Sequence, residues 1–249
     1  MKSIRLIIQV FTFLYCTILF SQNPSPATPA RLSSFSFEGN LAANSMMRGR
    51  DILQEVLNIG NKNLTLEDIK GNPYLIEKFE IGLLKYTDST EIGKLPMRYN
   101  AYNDEIEVDY QDGAKLLSKS IPISVIVNNK EFRILDYMDN SSTKKGFFIE
   151  KLRNTNCSLY VRYEKTLKLP EEAKTSFHKS ESPKFIEKKH YYIQFGNQTP
   201  IRLKLKKSKI LQHFKLHQKK LKEFCGEKKL DLKNENDLII LINYYNSLQ

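Results

Sequence analysis

The alternation of apolar and polar side chains constrains this chain more than any motif in it, and it is clearest around the stretch RYNAYNDEIEVDYQDG, residues 98–113. Met97, Tyr99 and Ala101 are apolar at odd positions, whereas Ile106, Val108 and Tyr110 are apolar at even ones. A period of two describes a strand with one buried face. The switch in parity means that the chain turns back with both apolar sets on the same side. A two-residue turn at Asn103 and Asp104 achieves this by pairing Ala101 with Ile106, Tyr99 with Val108 and Met97 with Tyr110. The opposite face then pairs Arg98 with Asp109, Asn100 with Glu107 and Tyr102 with Glu105. Asn and Asp suit such a turn because both tolerate positive φ angles. The same arithmetic works at VIVNNKEF, where a turn at Asn128 and Asn129 pairs Val125 with Phe132, Ile123 with Ile134 and Val127 with Lys130.

Between these hairpins, Gln111-Asp112-Gly113 reads as a three-residue turn with Gly113 in the left-handed position. Further alternating runs predict strands over 79–86, 146–152, 158–165, 185–195 and 201–205. Residues 167–183 read as a long polar loop between strands. The period then changes. From Ser208, a suitable N-cap, Ile210, Phe214, His217, Leu221 and Phe224 recur at helical spacing, and Gly226 is placed to end the helix. A second helix starts at Asn234, with Glu235 and Asp237 in its positively polarised first turn, and buries Leu238, Leu241, Ile242 and Tyr245. The expected fold is mainly β within the α+β class: an antiparallel β-meander, curved or barrel-like, with two C-terminal α-helices packed on the sheet. A short helix near residues 51–57 is a further expectation.

The N-terminal segment reads differently. Lys2 and Arg5 precede an apolar run from Leu6 to Phe20, the layout of a secretory signal peptide over residues 1–21, with an uncleaved anchor as the alternative. Tyr15 before Cys16 is too bulky for a lipoprotein signal. Residues 22–34 form a Pro/Ser/Ala-rich leader without apolar period, expected to be disordered. Residues 35–205 then make the β domain and 206–249 the helical pair packed on it. Export implies the periplasm, the outer envelope or the extracellular space. Beyond the signal only Cys157 and Cys225 remain, which can form one disulfide or persist as two buried thiols.

Charge is unevenly distributed. The formal net charge is +11, and residues 201–230 hold eleven Lys or Arg against Glu223 and Glu227 alone. A patch for an anionic partner is expected at Lys204, Lys206, Lys207 and Lys209, continuing through Lys215, Lys219, Lys220 and Lys222. On a single helix the later lysines fan away from Ile210, Phe214 and Leu221. Anionic lipid, a polyanionic glycan or an acidic protein partner would fit it. Nucleic acid is not expected, because the patch is almost all lysine and the compartment argues against it. An ordinary solvated lysine face is the competing reading.

No reactive constellation emerges. Glu105, Glu107 and Asp109 fall on the outward strand face, where a solvated surface is the simple reading, and the calcium-loop order D-x-D-x-D-G is missing. His213 and His217 are four residues apart, but in HFKLH, without the glutamate of a zinc protease, so no metal and no cofactor are expected. His178 and His190 lack a G-x-S-x-G partner, and neither cysteine has a catalytic context.

The succession GNPYLIEKFEIGLL, LPMRYNAYNDEIEV, KKGFFIEKL, LKLKKSKILQHF and DLIILINYYN, spanning roughly residues 70–249, resembles a family of uncharacterised secreted β-rich proteins common in Bacteroidetes. The shared motifs are packing and turn patterns, so the resemblance implies compartment and fold and transfers no site residue. The functional expectation is a non-enzymatic envelope protein acting as an interaction or binding scaffold. The alternative is a curved-sheet carrier of a lipid or other apolar ligand with an anionic head.

Overall fold

A computed structural model describes residues 37–40, 68–111, 113–139, 142–169 and 182–249. The segments read as signal peptide and leader, the helix expected near residues 51–57, and residues 170–181 of the polar loop lie outside the described residues. Strands account for most of the rest. They are β1 (Glu38–Asn40), β2 (Tyr74–Tyr86), β3 (Glu91–Asn100), β4 (Glu105–Tyr110), β5 (Gly113–Leu116), β6 (Ile123–Val127), β7 (Lys130–Asp139), β8 (Ser142–Leu152), β9 (Cys157–Lys168), β10 (Lys184–Phe195) and β11 (Ile201–Arg202). They form one antiparallel sheet in the order β1-β5-β4-β3-β2-β6-β7-β8-β9-β10-β11. The meander is therefore interrupted twice, first because β1 pairs with β5 and not with β2. Residues 117–122 carry the chain past β4, β3 and β2, so that β6 lies beside β2.

The first hairpin keeps the expected faces and changes the expected partners. Met97 pairs with Val108, Arg98 with Glu107 and Tyr99 with Ile106, a register two residues away from that of a turn at Asn103 and Asp104. The cause is Asn100, whose side-chain oxygen accepts from the backbone N–H groups of Tyr102 and Asn103 at 3.1 Å each. That bonding starts the turn early, so residues 101–104 all leave the ladder and Asp104 closes the turn at φ +56°. A shift of two preserves every side chain's face, which explains why the parity argument holds. The hairpin at Asn128 and Asn129 has the expected register, and both residues are left-handed, at φ +49° and +54°. At the connection from β4 to β5, Tyr110 pairs directly with Gly113, so two residues make the turn instead of three. Gln111 takes the left-handed φ of +50° there, while Gly113 opens β5 at +136°.

The sheet curls without closing. At its curl Lys165 of β9 donates its backbone N–H to Ala101 O at 3.0 Å, and Phe185 of β10 donates to Lys70 O at 3.0 Å. One face of the curled sheet carries the apolar core. On the β2–β8 side it is filled by its own residues, with Met97, Tyr99, Ile106, Val108, Val125 and Phe132 all buried. On the β9–β10 side Leu159, Val161, Tyr191 and Ile193 are covered by helices. Ile149 and Val161 are direct cross-strand partners and link the two regions.

Three helices, where two were expected, make that cover: α1 (Lys207–Leu211), α2 (Gln218–Glu227) and α3 (Glu235–Asn246). The expected single helix from Ser208 breaks because His213, Phe214 and His217 donate to carbonyls three residues back, not four. His and Phe are modest helix formers. The tightened path seats Phe214 against Phe195 and Tyr245, with ring centroids 5.5 and 4.8 Å away, and leaves Leu216 89% exposed. Gly226 lies inside α2. The left-handed stop falls instead on Lys229, φ +52°, and Leu230 N–H closes it on Cys225 O in a Schellman arrangement. Asn234 caps α3 as expected, accepting from Asn236 N–H at 2.8 Å. Glu235 ties the helix to the sheet by pairing with Lys189 and, at 2.9 Å, with Lys151.

Candidate functional site

Two places gather chemistry, and the first lies where β8 and β9 part. Their ladder covers only Ile149 to Leu152 of β8, so the first half of β8 has no β9 partner. The turn at residues 101–104 enters this fork and replaces the missing ladder. Ala101 O accepts from β9, and the Asp104 carboxylate accepts from the Phe147 N–H of β8 at 3.2 and 3.3 Å. Gly146 makes the approach possible, since a Cβ there would stand 2.9 Å from Tyr137 Cε1 and 3.1 Å from Asp104 Oδ2.

Asp104 is only 6% exposed and is well satisfied. Tyr99 donates its hydroxyl to Oδ1 at 2.7 Å, and Lys119 donates to Oδ2 at 2.9 Å. Burial and then Asp104 push the Tyr99 phenol well above its ordinary pKa, so it stays a donor. The outward carboxylates also differ from the solvated surface expected for them. Asp109 is exposed, but Glu107 is only 2% exposed and is clasped by Arg98 at 2.5 Å. Arg98 in turn stacks over the rings of Tyr74 and Phe79 at 4.2 and 4.4 Å. This pair is a packed strut of the sheet.

Above the fork a pocket of about 570 Å³ opens on the face opposite the apolar core. Its walls are polar, with Tyr137 and Asp139 from β7, Lys144 from β8, Arg162 and Glu164 from β9, Tyr192 from β10 and Arg202 from β11. Tyr137, Phe148 and Tyr192 form an aromatic floor of edge-to-face contacts that Tyr160 adjoins, and Arg162 lies over the Tyr137 ring at 4.9 Å. Burial raises the pKa of both Tyr137 and Tyr192, with Arg162 opposing, so each phenol keeps its proton.

At the rim, Arg202 meets His190 Nδ1 at 2.7 Å and His190 Nε2 meets Glu164 at 2.9 Å. Arginine can only donate, so Nδ1 must accept and Nε2 must carry the single imidazole proton. Burial lowers the His190 pKa, the Glu164 hydrogen bond opposes that, and Arg202 adds to the lowering. The neutral ring is the form this relay requires.

The second place is the lysine-rich corner. All eight lysines of the expected patch are exposed, and among the described residues none forms an ion pair. Because the helix is broken, they do not share one helical face. Lys206, Lys207, Lys219 and Lys222 line a groove of about 740 Å³ between α1 and α2, together with Leu211. The exposed lining is mostly carbon, so aliphatic lysine stems form its walls and the ammonium groups its rim. Lys204, Lys209, Lys215 and Lys220 lie outside the groove lining.

His213, His217 and the two cysteines line neither site. His213 is half-buried, and His217 rests its ring edge-on against Tyr245. Among the described residues no group of three or more His, Cys, Asp or Glu side chains is disposed to hold a metal ion. Cys157 and Cys225 are both free and buried in the helix-covered core. Burial pushes the Cys157 thiol up to about 12 and raises Cys225 as well, which keeps both protonated and poorly nucleophilic.

Fold and sites together define a class: a curled, open antiparallel β-sheet protein with a polar pocket at a strand fork and a lysine-rimmed helical corner. No family model, curated protein or solved structure matches the chain.

Proposed function

We propose that this chain is an exported, non-catalytic envelope protein that docks on anionic lipid surfaces through its helical corner. The observation that carries the reading is the pairing of four groove lysines with Leu216, which stands 89% exposed in the connection between the same two helices. Lysines near a membrane surface contribute about 1 kcal/mol each toward anionic headgroups. An exposed leucine among them adds apolar burial that a soluble glycan would not reward in the same way. The signal-like arrangement of Lys2, Arg5 and the run from Leu6 to Phe20 supports delivery to the envelope.

In vesicle sedimentation at low salt, the protein is expected to bind phosphatidylglycerol-containing vesicles and to release as salt rises. Changing Lys206, Lys207, Lys219 and Lys222 together to Gln should weaken binding roughly tenfold or more. Leu216→Ala should remove the residual binding at high salt. Equal binding to purely zwitterionic vesicles, or unchanged binding by the fourfold variant, would refute the reading; binding only to a soluble polyanionic glycan would move the patch to that partner.

The carbon-rich lining of the groove also favours a second reading, a carrier for a lipid or other apolar ligand with an anionic head. Native mass spectrometry of protein purified from the envelope separates the two. One co-purifying lipid per chain supports the carrier, and a consistently empty protein rejects it.

A further inference from the structure

The fork pocket contains a feature that packing does not account for. Arg162 has a side chain only 15% exposed, yet it donates a hydrogen bond to none of the described residues. Its nearest carboxylate oxygen, Asp104 Oδ2, is 3.7 Å from Nη2, and its Nε is buried without a partner. A guanidinium offers five N–H donors in a planar fork, and the buried Nε–H left without an acceptor is the costly one. The carboxylates near it are already taken: Asp104 by Tyr99, Lys119 and the Phe147 N–H, Asp139 by Lys144 at 2.6 Å, and Glu164 by His190. Beside Arg162, the hydroxyls of Tyr137 and Tyr192 likewise make no hydrogen bond to a described residue.

Donors from β7, β9 and β10 thus converge on one polar cavity with nothing among the described residues to receive them. The lining holds five cationic side chains against three carboxylates, so the cavity favours negative charge. We propose that the fork pocket is a recognition site for a small hydrophilic oxyanion, a carboxylate- or phosphate-bearing molecule of about sugar size. The Arg162 fork grips the oxyanion, and the Tyr137 and Tyr192 hydroxyls donate to its remaining oxygens. Arg202 and Lys144 at the rim draw such a ligand in. The polar walls disfavour an apolar body, and a volume of about 570 Å³ leaves room for more than an inorganic ion. This site shares no residue with the helical corner and stands or falls separately from it.

Thermal unfolding of the full chain with glucuronate, glucose 6-phosphate and glucose as probes tests the proposal. Ligand that binds the native state alone raises the midpoint in a concentration-dependent way. A saturable rise with glucuronate, with glucose 6-phosphate or with both is expected, and which of the two acts tells carboxylate from phosphate. Glucose should give none. Arg162→Gln should weaken the effect by at least about tenfold, the worth of a hydrogen bond to a charged group. Tyr137→Phe and Tyr192→Phe should each weaken it several-fold while leaving the unliganded midpoint near that of the parent, so the outcome does not depend on Arg162→Gln folding. No saturable rise with either oxyanion, an equal rise with glucose, or undiminished binding by all three variants would overturn the proposal. Loss of the rise in the fourfold lysine variant would transfer the binding to the helical corner and overturn it too.

Discussion

Asp104→Ala is expected to destabilise the protein by about 3–5 kcal/mol, the usual consequence of removing one partner from a buried charge network. Urea unfolding of the variant and its parent, compared at unchanged slope, measures it. The size follows from what the carboxylate holds. Its loss leaves the Tyr99 hydroxyl without its close acceptor, Lys119 without its ion pair and the Phe147 N–H without a ladder or side-chain acceptor. Asp104→Asn keeps an acceptor for two of those groups and gives up the charge, so a smaller loss of about 1–3 kcal/mol is expected. Equal stability of parent and alanine variant would show that the turn at the fork is ornamental.

Phe214→Ala should cost about 3–5 kcal/mol, as truncation of a buried phenylalanine generally does. Phe214 is only 1% exposed and wedges between Phe195 of the sheet and Tyr245 of α3. It is the residue that converts the break between α1 and α2 into a fixed corner. Phe214→Leu refills most of the volume and should recover much of the loss. Denaturant unfolding checks both variants; a lower slope for Phe214→Ala would mean that the corner has come loose from the sheet in the native state. A change below about 1 kcal/mol would mean that the aromatic slot does not hold the corner.

Parity carried most of the fold. The apolar sets at Met97, Tyr99 and Ala101 and at Ile106, Val108 and Tyr110 do share a buried face, and the Asn128-Asn129 hairpin has the register read from its residues. Registers and turns depend on bonds that a pattern does not display. Asn100 capturing two backbone N–H groups moved one hairpin by two residues, and Lys229 took the left-handed position that Gly226 was suited to fill. The step from β5 to β6 past three strands has no local signal, since residues 117–122 look like any short connection.

The lysine corner was legible because charge segregation is visible in one dimension. The fork pocket was not, because its parts come from separate strands and meet only through the curl. One clue was present: Tyr160, Arg162 and Glu164 alternate with Leu159, Val161 and Tyr163, and a strand meant to be wet on one side does not usually carry aromatic residues there. Tyr137 on β7 and Tyr192 on β10 repeat that clue. Asp104 was read as a turn residue only, and being the closing residue of a turn and the anchor of the fork are compatible roles.

Along β9 the two faces of the sheet meet different surroundings. Leu159 and Val161 meet the apolar core, while Tyr160 and Arg162 between and beside them meet the aromatic floor and the pocket. Alternate positions of one strand therefore serve different neighbours, the inward set packing the core and the outward set reaching the aromatic cluster and the pocket. Such a strand suits design: Arg162 and Glu164 can be exchanged to rewrite the pocket while Leu159 and Val161 keep the face on which the fold depends.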